Sequence, residues 1–225
     1  MKRIVVILYG PPGSGKGTQA NLLADKLGLI HFDTGRFLES VVHDPNRQNE
    51  KVVQRERKLY DGGILMTPSF VLREVARKAK EIHRAGWGLV FSGSPRTIYE
   101  AERLVPDLEK LYGKKNISIF ELRLSAKDSI ARNSARLRCA VCGYGLLTAY
   151  YPKVKARHCP VCGGSFYRRT DDKVHIIKRR LIEYHERTEP IIGLLKKRGY
   201  KVHSLDARPA PYKVLKKIYG NIEDA

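Results

Sequence analysis

The chain has 225 residues, with 43 Lys or Arg against 23 Asp or Glu and a formal net charge of +20. Hydrophobic residues make up 42%, enough for a buried core, which excludes disordered, collagen-like and low-complexity chains. The longest apolar run, residues 4–9, is too short for a membrane span or a signal-peptide core, and four cysteines confined to residues 139–162 do not make a secreted disulfide framework, so a reduced, cytoplasmic setting and a monomer without membrane contact are expected.

Residues 4–9 read as a buried strand that runs into a Gly-rich turn, followed by a helix over residues 18–27. A polar helical stretch occupies residues 34–68. Strand-like runs recur at residues 88–92, 117–124 and 201–205, separated by helical stretches, and residues 221–225 read as a frayed tail. This alternation predicts an α/β fold with a parallel sheet and helices on both faces. Two segments interrupt it, so the expected organisation is a core of residues 1–33, 69–136 and 173–225, with insertions at 34–68 and 137–172.

Gly10-Pro11-Pro12-Gly13-Ser14-Gly15-Lys16-Gly17-Thr18 follows the first strand and opens a helix. In that context glycines let backbone N–H groups approach phosphate oxygens, the helix N-terminus adds partial positive charge, and Lys16 can reach the β- and γ-phosphates. The pattern predicts a nucleoside triphosphate site with magnesium. A strict phosphate loop places Ser or Thr directly after the lysine; here Gly17 stands there and Thr18 comes one later.

Cys139-x-x-Cys142 and Cys159-x-x-Cys162, sixteen residues apart, have the ligand spacing of a four-thiolate zinc site. A lobe of about thirty residues buries little core of its own, so the metal is expected to be structural and to supply its folding energy. Spacing alone leaves iron open as the ion.

The run GPPGSGKGT resembles the phosphate loop of adenylate kinases and their nucleoside monophosphate kinase relatives, and further segments match that family in order: HFDTGRFL at 31–38, DGGILMTPSFV at 61–71, SGSPRT at 92–97 and RTDD at 169–172 followed by RLIEY at 180–184. The resemblance implies a P-loop kinase with a monophosphate-binding insertion at 34–68 and a zinc-binding lid at 137–172, transferring the γ-phosphoryl of MgATP to a nucleoside monophosphate such as AMP. It implies that Gly13, Ser14, Gly15, Lys16, Gly17, Thr18, Arg132 and Arg136 bind ATP. It further implies that Lys16, Arg96, Arg136, Arg169 and Arg180 surround the migrating group.

The acceptor side departs from the family pattern. Thr34, Gly35 and Arg96 match, whereas Arg36 and Glu39 stand where the family has Asp and Arg. Arg36 is read either as the replacement phosphate ligand or as one half of a surface ion pair with Glu39, one helical turn on. Ser92 replaces an acidic residue that helps to hold magnesium. Glu100 replaces a Gln that reads the adenine edge; a carboxylate only accepts hydrogen bonds, which suits guanine, unless Glu100 is paired elsewhere and backbone near Leu65 and Met66 reads the base.

Residues 132–180 hold twelve Lys or Arg against two Asp, half of the net charge. Besides the kinase, with AMP, GMP or another acceptor, the basic excess admits a second class, a nucleic-acid-associated ATPase with a decayed acceptor site, which the intact arginines disfavour.

Overall fold

The computed structural model describes residues 3–146, 148, 157–168 and 172–223. Its centre is a five-stranded parallel sheet built from β1 (Val5–Tyr9), β2 (Leu29–Phe32), β3 (Gly88–Phe91), β4 (Ile117–Arg123) and β8 (Val202–Asp206), in the order β2-β3-β1-β4-β8. All five residues of β1 are buried, as a central parallel strand covered on both faces requires. Alternate side chains of β1 feed two cores: Val5, Ile7 and Tyr9 join one cluster, Val6 and Leu8 the other.

The first cluster is completed by α2 (Thr34–Val42), α3 (Lys51–Asp61), α4 (Pro68–Arg84), α5 (Ile98–Tyr112) and α8 (Glu189–Lys197). The second is completed by α1 (Lys16–Leu27) and α9 (Pro211–Glu223). Helices therefore cover both faces, as the alternation predicts. After β1 the chain crosses to β2 and β3 on one side, and β4 and β8 lie on the other. That reversal opens a crevice at the C-terminal end of β1, where an open α/β sheet binds ligands.

α6 (Ala126–Ser134) leads into the small antiparallel sheet β6-β5-β7, with β5 at Leu137–Cys139, β6 at Gly145–Leu146 and β7 at Phe166–Tyr167. α7 (Val174–Glu183) returns to the core and passes through one wide π-helical turn, Tyr184–Thr188, directly into α8. No helix among the described residues is long and apolar enough to cross a membrane.

Three details differ from the sequence reading. β2 was not foreseen, because LIHF is four residues at the sheet edge and carries a polar His31. The polar stretch after residue 34 is two helices separated by a 3-10 turn, Pro45–Arg47, whose N-cap Asp44 accepts from the Asn46 N–H. Residues 221–223, read as tail, belong to α9, where the Asn221 amide donates to the Lys217 carbonyl at 2.8 Å.

Candidate active site

The loop between β1 and α1 wraps the end of the sheet. Gly10 has φ +147°, and a Cβ there would lie 2.5 Å from the Leu122 carbonyl oxygen; at Gly13, φ +77°, it would lie 2.6 Å from the Asn133 amide nitrogen. Only glycine satisfies both the dihedral and the space. α6 braces the loop from the side, with Ser129 Oγ donating to the Pro12 carbonyl at 2.6 Å. The Lys16 ammonium donates to the carbonyls of Gly10, at 2.6 Å, and Pro11, at 2.9 Å, and so hangs over the concave face of the loop. Ser14 Oγ is buried without a hydrogen-bond partner among the described residues, and Gly17 is exposed, where a Cβ would meet none of the described atoms within 4 Å.

Burial, and after it the charges of Arg96, Arg180 and Arg136, lower the Lys16 pKa to about 7. Four cationic side chains from β1-α1, β3-α5, α6-β5 and α7 thus converge closely enough to act on one another, an arrangement suited to a polyphosphate. Arg136 is held by Asp172, with Nε 3.0 Å from Oδ2. That buried carboxylate joins the two strands of chain that enter and leave the lid. Arg132 donates to the carbonyls of Ala207, at 2.9 Å, and Arg208, at 3.0 Å, tying α6 to the loop after β8. Arg169 lies outside the described residues.

These groups line one cleft of about 1180 Å³. A single ligand pocket is usually about 300–1,000 Å³, so this one has room for two nucleotides. Its walls include Gly13 to Thr18, Arg132, Arg136 and Arg180 on one side, and Arg36, Leu65 and Arg96 on the other. Thr34 Oγ1, at the N-terminus of α2, is buried beside Gly93 without a hydrogen-bond partner among the described residues. No ion pair joins Arg36 to Glu39 among the described residues. Instead the Arg36 guanidinium lies against the first cysteine knuckle, where a Cβ on Gly143 would collide with it. Gly35 sits beside the N-cap Asp33. Met66 packs into the first core cluster, not the cleft wall.

The sequence leaves Glu100 either at the acceptor base or paired elsewhere; its carboxylate is buried and turned back on its own helix. Oε2 accepts from the Arg96 backbone N–H at 2.9 Å, Oε1 from the Thr97 hydroxyl at 3.1 Å, and Thr97 Oγ1 in turn accepts from the Glu100 N–H at 3.2 Å. This is a variant of the capping box at the start of α5, with the carboxylate returning to the N–H of Arg96 before the N-cap Thr97 and to the Thr97 hydroxyl. Burial raises the Glu100 pKa, and the two hydrogen bonds oppose the rise. With both oxygens engaged, the argument from Glu100 toward guanine loses its physical basis. Glu100→Gln is expected to cost about 1 kcal/mol of stability while leaving the AMP-to-GMP preference within about twofold; a wholesale change of acceptor would reinstate Glu100 as the base reader.

Two contributors went unread in the sequence. His31 bridges α1 and β3, with Nδ1 2.5 Å from Asn21 Oδ1 and Nε2 2.8 Å from Ser92 Oγ, beside the phosphate loop. Ser92, where the family pattern has an acid, is therefore engaged by a ring nitrogen. Tyr9 carries a buried hydroxyl at the end of β1 without a hydrogen-bond partner among the described residues, and burial holds its pKa well above the usual phenol range.

In the lid, the Sγ atoms of Cys139, Cys142, Cys159 and Cys162 lie within 4.8 Å of one another, with Cys139–Cys162 at 3.4 Å and Cys142–Cys159 at 3.7 Å. A tetrahedral ion bound at about 2.3 Å places its sulfurs about 3.8 Å apart, so the cluster fits zinc. Each knuckle ends in a glycine of positive φ, Gly143 at +72° and Gly163 at +74°, and the Val141 N–H points at Cys139 Sγ at 3.4 Å.

A parallel sheet with a phosphate loop at its switch point, ringed by arginines from separate elements, defines a P-loop phosphotransferase. The adenylate kinase family model matches residues 8–200. The chain is 34% identical over 197 residues to an adenylate kinase of Caldicellulosiruptor bescii, covering 88% of this chain and 89% of that one. It is 34% identical over 195 residues to one of Paramagnetospirillum magneticum, covering 86% and 87%, and 32% identical over 197 residues to one of Methanosarcina barkeri, covering 88% of each. The chain belongs to the adenylate kinase family and is an ATP-dependent nucleoside monophosphate kinase.

Proposed function

We propose that the enzyme transfers the γ-phosphoryl group of MgATP reversibly to AMP, giving two ADP. The observation that carries the reading is the convergence of Lys16, Arg96, Arg136 and Arg180 on one cleft large enough for donor and acceptor together. ATP lies with its phosphates in the loop from Gly13 to Thr18, and its base toward Arg132 and the loop after β8. The acceptor phosphate is held by Arg96 and Arg36, with Thr34, Gly35 and Leu65 beside the nucleoside. No general base is required, because the attacking acceptor phosphate is already an anion. The cations neutralise charge and align attacking and leaving oxygens in line, while the lid excludes water that would hydrolyse ATP.

Magnesium enters with the substrate and neutralises phosphate charge. Thr18, in the lining of the cleft, would supply the loop's hydroxyl to it, and Ser92, without a carboxylate, would contribute less than an acid. Zinc, held by the four lid cysteines, is structural.

The deciding experiment is turnover with MgATP against AMP, GMP, CMP, UMP and no acceptor. AMP is expected to exceed the others; a different preferred base overturns the acceptor assignment, and ATP hydrolysis stimulated by nucleic acid without transfer overturns the kinase. Arg36→Ala is expected to raise the acceptor KM about tenfold, the effect of removing one charge-assisted contact, with the ATP KM unchanged; equal effects on both substrates would instead mark Arg36 as a lid contact.

The Lys16 environment adds a pH dependence. In the free enzyme Lys16 loses its proton near pH 7, whereas bound phosphates hold it charged. Binding therefore takes up a proton above pH 7, and MgATP affinity falls by up to about tenfold per pH unit above that value. Calorimetry at pH 8 in buffers of different ionisation heat measures the uptake; equal heats in all buffers would refute it.

A further inference from the structure

We infer that the edge of the sheet remote from the nucleotide cleft is a docking face for the phosphodiester backbone of a nucleic acid. The inference stands apart from the acceptor assignment. In a parallel sheet all strands begin at one edge, the helices that precede them end there, and the phosphate loop lies at the opposite edge. Residues 110–115 (KLYGKK), at the end of α5, and 196–201 (KKRGYK), at the end of α8, meet at this starting edge beside β4 and β8. Lys114 Nζ donates to the Arg198 carbonyl at 2.6 Å, and the Tyr200 hydroxyl reaches Glu109 at 2.7 Å.

The two segments carry Lys110, Lys114, Lys115, Lys196, Lys197, Arg198 and Lys201. Among the described residues Arg198 alone of these meets a carboxylate, Glu109 at 3.0 Å; the six lysines are exposed and form no ion pair. Arg3, ahead of β1, and Arg84, ahead of β3, are exposed and extend the same edge. None of these residues lines the cleft, so the kinase reaction leaves this share of the +20 charge unexplained.

One or two cations at a helix C-terminus complement its dipole. Six lysines over two adjoining helix ends, with no carboxylate partner among the described residues, repel one another, and a polyanion is what relieves that repulsion. The large exposed apolar side chains lie elsewhere, in the acceptor insertion, the lid, α7 and the starts of α5 and α9. Nothing at this edge would enter a bilayer, which favours a phosphodiester backbone over a lipid surface. Lysine ammoniums act as point charges on phosphates and do not read bases, so the face binds without sequence preference.

The test is anisotropy of a labelled 20-base-pair DNA duplex and of the RNA of the same sequence, with saturating MgATP filling the cleft. The proteins compared are wild type, a variant combining Lys114→Glu, Lys115→Glu, Lys196→Glu and Lys197→Glu, and its counterpart with Gln at the same positions. Wild type is expected to bind in the micromolar range at physiological salt. The Glu variant should bind at least about tenfold more weakly, with a salt slope shallower by about 3 and unchanged kinase turnover. If the Glu variant loses turnover through misfolding, the Gln variant decides. Unchanged duplex binding in a folded variant overturns the proposal, as does displacement of the duplex by MgATP. So does capture on phosphatidylserine vesicles with no duplex binding.

Discussion

Lys16→Met is expected to lower phosphoryl transfer by about 10³-fold or more without lowering the melting temperature of the free enzyme. Removing one preorganised charge contact to a developing anion costs on the order of 10²–10³ in rate, and here the lost ammonium sits at the centre of the cationic ring. Methionine keeps the length and apolar stem, so loop packing survives. What it loses is the pair of hydrogen bonds to the Gly10 and Pro11 carbonyls; what it gains is relief from burying a charge and from repulsion by Arg96, Arg180 and Arg136, which together lower the Lys16 pKa to about 7. Single-turnover transfer and a melting curve measured together separate the two. Transfer within tenfold of wild type would remove Lys16 from the reaction, and a collapsed melting curve would make it a fold residue.

Extracting the lid metal, or substituting Cys159→Ser, is expected to unfold the lid while the sheet stays intact. The lid's buried apolar residues among those described are few, chiefly Leu146 beside the buried Cys139 and Cys159. Against that small core, a structural zinc site supplies about 10–16 kcal/mol of apparent binding energy. Metal-free protein should be cut by protease within residues 137–172 while circular dichroism of the core is retained. Its kcat should fall by at least about tenfold, as loss of a water-excluding lid implies. Protein shown to be metal-free that keeps its melting curve and its protease resistance would exclude a structural metal.

The motifs legible in the sequence are those whose chemistry is contiguous along the chain. The phosphate loop needs its glycines at fixed offsets from Lys16 because the backbone itself forms the cradle, and each cysteine knuckle needs two residues between ligands because one turn must present both sulfurs. The core of the sheet was legible for a similar reason: buried parallel strands are apolar throughout, so residues 4–9 and 117–124 announce themselves, whereas the edge strand β2 does not. Glu100 shows how a local signal was passed over. Thr97-x-x-Glu100 is itself the pattern of a capping box, and the carboxylate serves the N-terminus of α5 instead of a base.

Other features depend on residues far apart in the chain, and no local pattern specifies them. Asp172 finds Arg136 across 36 residues because the two ends of the lid must leave the core side by side. Arg36 reaches Gly143 because the acceptor insertion and the lid flank one cleft. Lys114 meets Arg198 because a parallel sheet gathers every strand start at one edge. The phosphate loop, the four-cysteine cluster and the alternation that makes a parallel sheet are properties of neighbours along the chain and are legible there. Which carboxylates are spent inside the protein, which arginines share the cleft and where the surplus charge collects follow from the packing of distant segments, because side chains acquire those partners only in the folded chain.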